Sequence, residues 1–437
     1  MRKAPALHCQ SECSETASSP ETWRNFDGDM GFEKYIGVSA VMSIFKALKK
    51  NPGSSQSDLL RRRRNKALII NILIISVLSI VAALVITWQS GGTGFSVSDS
   101  TGQSAIAPPS PSVKPSPPAL PSLSKEEQDG YKLETGPLAV IEVAGLVLHD
   151  DKRNKNVRVR IFYPVIAGKY PVIIFSHGAG GSDTCCESLT HHWATYGYIT
   201  LQPIHDDSVV QRRSSGNENA QFPQAVREAL KNPALWEDRP RDISFLLDSL
   251  PGLQKRVAGL NGKIDIRRIG VAGHSMGAYT AEAIGGALVD LPGHPGQNFS
   301  DPRAKAILCL SPQGPGQFGL TAHSFDSISL PFMGITGSLD NLEPLANSAW
   351  HKIPFERSQP DDKYEVFIHG ASHISFVTAE TVNPARSSQA AAILGYTNSA
   401  SLAFWDAYLK EDPSARRFLQ SDALERSSHG AAKLSRR

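Results

Sequence analysis

A short apolar run, Ile269-Gly270-Val271-Ala272, leads into Gly273-His274-Ser275-Met276-Gly277, and a helix former, Ala278-Tyr279-Thr280-Ala281-Glu282-Ala283-Ile284, follows at once. A strand and a helix joined this tightly need glycines on both sides of the turn, because side chains there would clash across it. The central serine is then forced into a strained backbone conformation, with its Oγ exposed beside a helix N-terminus. The pentapeptide alone does not settle the matter, since a chain with 35 glycines can produce such a match by chance. Its surroundings have to decide.

From about Tyr131 the chain alternates short β-branched runs with helical patterns, which is the texture of a mostly parallel sheet covered on both faces. Candidate strands are Ala139 to Val143, Val157 to Tyr163, Pro171 to Ser176, Tyr198 to Pro203, Ile269 to Gly273, Ala304 to Leu310, Pro331 to Thr336 and Tyr364 to Ile368. Ile243, Leu246, Leu247 and Leu250 recur at i, i+3, i+4, i+7 after Arg239-Pro240, so an amphipathic helix started by proline is expected there. No internal repeat is present.

A serine nucleophile on such a turn needs an acid and then a histidine downstream. Leu330-Pro331-Phe332-Met333-Gly334-Ile335-Thr336-Gly337 reads as a buried strand, and Asp340 stands on the loop beyond it. Loops after strand C-termini are where such sheets carry their chemistry, so Asp340 leads Glu343, with Asp326 and Asp301 as further candidates. Tyr364 to Ile368 reads as a last strand followed by His369-Gly370-Ala371-Ser372-His373. His373, on the loop, is the expected general base ahead of His369 at the strand end.

Acyl transfer also requires donors aimed at the developing oxyanion. After Val172-Ile173-Ile174-Phe175 comes Ser176-His177-Gly178-Ala179-Gly180-Gly181-Ser182, a turn that can bring the Ala179 N–H beside that of Met276. A phosphate-cradling loop would need a lysine and a spacing that this one lacks. His177 is expected to shape the turn through a hydrogen bond, and His191 and His192 to sit on a helix surface. His205, Asp206 and Asp207 follow a strand and are candidates for lining the cleft or holding a cation, without further ligand spacing. No metal and no cofactor is required.

Five cysteines without a C-x-x-C pair argue against a zinc or disulfide framework. Adjacent Cys185 and Cys186 are read as ordinary loop thiols in preference to a strained vicinal disulfide. Lys+Arg 45 against Asp+Glu 42 leaves no broad basic face, so nucleic acid is not an expected partner. Oligomeric state is not legible.

The flanks are of another kind. Ala67 to Trp88 is an uncharged run of 22 residues, long enough to cross a hydrocarbon layer of about 30 Å as a helix. Arg61 to Arg64 and Lys66 precede it, so the positive-inside rule keeps the N-terminus cytoplasmic and the bulk of the chain extracytoplasmic. A cleaved signal peptide would have a shorter apolar core and a small-x-small site, and the residues after the arginines fit a twin-arginine signal poorly. The expected organisation is therefore residues 1–60 as a disordered cytoplasmic tail, with Met30 and Met42 as alternative starts, and 61–88 as a basic cluster and single transmembrane anchor. Residues 89–128 form a Pro/Ser/Gly-rich linker, 129–420 the catalytic domain and 421–437 a disordered tail.

These residues resemble a known group, the bacterial dienelactone-hydrolase-like branch of the α/β hydrolases, related to platelet-activating-factor acetylhydrolases and to cutinase-like polyester hydrolases. The likeness runs through Phe175 to Gly181, Arg239 to Asp248, Arg268 to Gly277, Gly337 to Asp340, Gly370 to His373 and the closing pattern Leu402 to Leu409. It implies an α/β-hydrolase fold with an eight-stranded sheet and helices on both faces. It further implies a Ser275, Asp340, His373 triad, Ala179 and Met276 as oxyanion donors, and activity on carboxylic esters of short or modest acyl length. Dienelactone hydrolases proper use cysteine where this chain has Ser275, so their substrate is not carried over. Acetylhydrolase-like lipid esters fit the membrane segment; a peptidase or amidase with the same triad, and a non-catalytic scaffold, are the rival readings.

Overall fold

On Tyr170–Ser176 every residue is buried, and successive side chains enter two different cores. Val172 and Ile174 face one side, while Ile173 and Phe175 face the other. A strand apolar on both faces belongs inside a sheet sandwiched between helices. The computed structural model describes residues 130–341, 347–377 and 384–437. The expected tail 1–60, anchor 61–88 and linker 89–128 lie outside them, and so does Glu343.

The strands are β1 (Val140–Asp150), β2 (Lys155–Pro164), β3 (Tyr170–Ser176), β4 (Ile199–Ile204), β5 (Ile264–His274), β6 (Leu288–Leu291), β7 (His294–Asn298), β8 (Ala304–Leu310), β9 (Phe332–Leu339), β10 (Lys363–Ser372) and β11 (Ala432–Arg436). The helices are α1 (Glu187–Thr195), α2 (Val209–Ser214), α3 (Phe222–Ala229), α4 (Pro233–Arg256), α5 (Met276–Ile284), α6 (Ile353–Arg357), α7 (Pro384–Leu409), α8 (Pro413–Leu419) and α9 (Ala423–Ser427). The main sheet has the order β1-β2-β4-β3-β5-β8-β9-β10-β11, and β6 and β7 form a separate hairpin. From β4 through β10 neighbouring strands are parallel, and β1, β2 and β11 add antiparallel edges.

One face of the sheet packs on α4 and α5 through Ile243, Leu246, Leu250, Ala278 and Ala281. The other packs on α1 and α7 through Leu189, Trp193, Phe404 and Trp405. Asp406 of α7, fully buried, accepts from Tyr131 Oη and Tyr198 Oη at 2.7 Å each and is paired with Lys132 and Lys410. Among the described residues no helix is long and apolar enough to cross a membrane.

Three expectations are corrected. The sheet has nine strands, not eight, because residues 421–437 are no disordered tail: they form α9 and then β11, which pairs antiparallel with β10 from Ala432 to Arg436. The reason is that β10 would otherwise leave an open ladder, and Ala432 fills a buried position beside it. The helix around Ile243 starts at Pro233, capped by Asn232, and Pro240 sits inside it. His192 is buried against Tyr196, with ring centroids 5.1 Å apart, and only His191 is exposed; burial lowers the His192 pKa to about 4.

Candidate active site

Four parallel strands end at one edge of the sheet, and the sequence-marked residues follow those ends directly. Ser275 comes after β5, Asp340 after β9 and His373 after β10, while the His177 to Gly181 loop comes after β3. Carbonyl ends of parallel strands open on a crevice, which is where such folds gather their groups.

Ser275 has φ 56° and ψ −118°, a strained conformation for a residue with a side chain. It is tolerated because its neighbours over-determine it. The Ser275 N–H donates to the Leu310 carbonyl at 3.0 Å, and its own carbonyl starts α5 by accepting from Ala278 and Tyr279. A Cβ at Gly273 would collide with the Gly277 carbonyl, and one at Gly277 with the Ser176 carbonyl. Both glycines are thus required by the close approach of β3, β5 and α5. Ser275 is half-buried between buried His274 and Met276.

His373 Nδ1 donates to Asp340 Oδ1 at 2.9 Å, which leaves Nε2 of the neutral ring as an acceptor. Asp340 is fully buried, and its other oxygen accepts from Thr336 Oγ1 at 2.9 Å. Burial would raise the Asp340 carboxyl, but His351 and His373 beside it outweigh that and hold it far below the usual carboxylate range. Burial keeps the His373 pKa below its ordinary value, with the Asp340 hydrogen bond opposing. His274 ties the two loops together, its Nε2 donating to the His373 carbonyl at 2.8 Å.

His351 is a neighbour that sequence reasoning missed. Its Nε2 lies 3.2 Å from Asp340 Oδ1 without the alignment of a hydrogen bond, and its Nδ1 donates to the Pro312 carbonyl at 2.6 Å. It stands on a short 3-10 turn, Trp350–Lys352, whose sequence carries no spacing signal. Asp340, His351 and His373 present ligand atoms within 4.8 Å of one another, as a metal would need. The carboxylate is already engaged by His373 and Thr336, an arrangement suited to orienting an imidazole.

Of the rival acids, Asp301 is paired with Arg303 at 2.6 Å and Asp326 with Arg357 at 2.8 Å, away from Ser275. His369 lies within β10, exposed, its ring against Phe367. The candidate cation ligands His205, Asp206 and Asp207 do not converge. Asp206 is exposed, whereas Asp207 meets Arg239 at 2.7 Å and His205 Nδ1 donates to Asp242 at 2.8 Å. Ser176 Oγ donates to His205 Nε2 at 2.9 Å, so Ser176, His205 and Asp242 repeat the residue types of a triad. All three are sealed from solvent, and the constellation is structural. Cys185 and Cys186 are free thiols with sulfurs 3.6 Å apart.

In the loop after β3, His177 Nδ1 donates to the Gly178 carbonyl at 2.7 Å, the hydrogen bond expected of it. A Cβ at Gly178 would lie 3.5 Å from Ser275 Cβ, so the loop runs directly beside the serine. Met276 is the first residue of α5, where a backbone N–H has no intrahelical acceptor.

The chlorophyllase family model matches residues 133–292, less than half of the chain. The matched span carries the His177 to Gly181 loop and the Ser275 elbow; Asp340 and His373 lie beyond it. It does not single out the dienelactone-hydrolase-like or acetylhydrolase-like branch. No curated protein matches the chain. The family match, which supports ester hydrolysis as the type of activity, and the sheet order with a strand–elbow–helix after β5 agree on one point: the fold is of the α/β-hydrolase type.

Proposed function

We propose that the chain is a serine esterase that works through an acyl-enzyme. Ser275 Oγ attacks the ester carbonyl carbon while His373 Nε2 takes its proton; the C–O bond to the alcohol then breaks, and the alcohol leaves with that proton. Water repeats the sequence and releases the acid. Asp340 orients His373 and stabilises its protonated form, and the N–H groups of Ala179 and Met276 hold the oxyanion. One observation carries the reading: a strained, half-exposed Ser275 at the same strand edge as a His373 whose Nδ1 is bound by a buried carboxylate at 2.9 Å.

Ser275→Ala is expected to lower kcat on p-nitrophenyl acetate by at least about 10⁴-fold with folding retained, and His373→Ala to do the same. Full activity in either folded variant sinks the assignment. Faster turnover of a matching anilide than of the ester would favour an amidase, and absence of labelling by a fluorophosphonate would favour a non-catalytic scaffold. A short or modest acyl group, or an acetylhydrolase-like lipid ester, is the proposed substrate class; a chain-length series of p-nitrophenyl esters separates these.

The uncharged run from Ala67 to Trp88 supports a membrane anchor with the hydrolase domain outside the cytoplasm. Protease added outside spheroplasts should then remove that domain, and full protection would overturn this topology.

A further inference from the structure

Arg239 lies in α4, only 1% exposed, and each of its five N–H groups has an acceptor. Nε and one Nη2 hydrogen grip both oxygens of Asp207 at 2.9 and 2.7 Å. The remaining three reach the end of β3 and the loop after it: Nη1 donates to Ser176 Oγ at 3.3 Å and to the His177 carbonyl at 2.5 Å, and Nη2 to the Gly178 carbonyl at 3.2 Å. Asp207 completes the grip by accepting from the Gly180 N–H at 2.7 Å. Burial would raise the Asp207 carboxyl, but the Arg239 charge wins and holds it well below the usual range, so the pair stays ionised at neutral pH.

The neighbouring histidines fit the same scheme. His177 Nδ1 donates to the Gly178 carbonyl, so its Nε2 is free to accept from the His205 N–H, which it does at 3.1 Å. Burial, then the Arg239 charge, keep both His177 and His205 below the ordinary histidine pKa and therefore neutral. The Gly178 carbonyl thus receives Arg239, His177 and, at 3.0 Å, the Gly181 N–H.

That has a direct geometric result. In a planar trans peptide the carbonyl and the next N–H point in opposite directions. Fixing the Gly178 carbonyl toward Arg239 turns the Ala179 N–H the other way, out of this network, on a loop that runs against Ser275. Among the described residues no acceptor is bound to that N–H.

We infer that the buried Arg239–Asp207 pair is a positioning device for the oxyanion hole: it locks the Gly178–Ala179 peptide so that the Ala179 N–H is presented to the reacting carbonyl. The inference rests on the esterase reading. Arg239 and Asp207 touch no reacting atom and act through the loop.

The pair is removed without leaving a lone buried charge in Arg239→Met/Asp207→Asn, since the asparagine oxygen can still accept from Gly180. Arg239→Lys keeps a cation for Asp207 but offers at most three donors from one point, too few for this fork. Each variant is expected to fold, with kcat on an oxygen ester lowered about tenfold to hundredfold and KM within about twofold. The decisive measurement is the ratio of rates on an ester and its thionoester, because sulfur accepts hydrogen bonds weakly and profits little from the donors. That ratio should fall at least fivefold in both variants, an effect that general loosening would not produce. Folded variants that keep kcat and the ratio within twofold of the parent overturn the inference alone. Hydrolysis that survives Ser275→Ala overturns the esterase reading, and this inference with it.

Discussion

The Tyr279 hydroxyl, on α5 four residues after Ser275, donates to the Trp236 carbonyl of α4 at 2.9 Å. That carbonyl is four residues before Pro240, which has no N–H to give it. The proline therefore frees an acceptor and the tyrosine uses it, joining the helix that follows Ser275 to the helix that carries Arg239. Tyr279→Phe should destabilise by about 0.5–1.5 kcal/mol, because a half-buried carbonyl loses its donor. In a Pro240→Ala background the alanine N–H can restore the helical bond, and the tyrosine's hydroxyl should then matter less. Urea unfolding of the four proteins in the cycle measures this; equal costs in both backgrounds would refute the link.

The acid limb of the pH profile should report His373. Burial, with His274 and His351 nearby, keeps its pKa below the ordinary 6.5 against the pull of Asp340. A base with a depressed pKa stays deprotonated further into acid, so kcat/KM should fall with a midpoint below 6.5. His351→Asn removes a neighbour that disfavours the His373 cation and should move that midpoint upward. Asp340→Asn should cost about 10³–10⁴-fold in kcat through the wrong tautomer. An unmoved midpoint in a folded His351→Asn protein would count against the electrostatic role of His351.

Glu282, fully buried on α5, accepts the Gln313 N–H at 2.9 Å with one oxygen, while the other has no hydrogen-bond partner among the described residues. Burial pushes its pKa from 4.5 up to about 8. With the folded pKa above the unfolded one, its favourable contribution is complete below pH 4.5 and is lost as pH rises through about 8. Glu282→Gln keeps the acceptor and cannot ionise. Its stability relative to the parent should therefore grow between pH 5 and 8.5, by on the order of a few kcal/mol. Thermal melts at the two pH values check it, and a constant difference would be the contrary result.

Much of the sheet was legible because buried parallel strands are written as nearly continuous apolar runs: Val172 to Phe175 and Ala304 to Leu310 are marked by sequence and lie within strands of the fold. Element ends were less so. β9 and β10 run on to Leu339 and Ser372, past the apolar residues that mark them, because ladder hydrogen bonds extend into the loops. The tail from 421 looked featureless because an edge strand such as Ala432–Arg436 needs few apolar residues, its partner β10 supplying the ladder. His351 was invisible, since its distance from Asp340 depends on how the chain between them is laid out.

Ser275, its two glycines and the order serine, aspartate, histidine were determined by the sequence alone, because a tight strand–elbow–helix turn and strand-end loops impose local residue choices. Tertiary structure decided what surrounds them. The Arg239 fork spans α4, the loop after β3 and Asp207, and His351 reaches Asp340 from a separate turn. Such contacts join residues far apart in the chain through buried polar groups that must find partners once water is excluded, and no local pattern encodes which partner each will find.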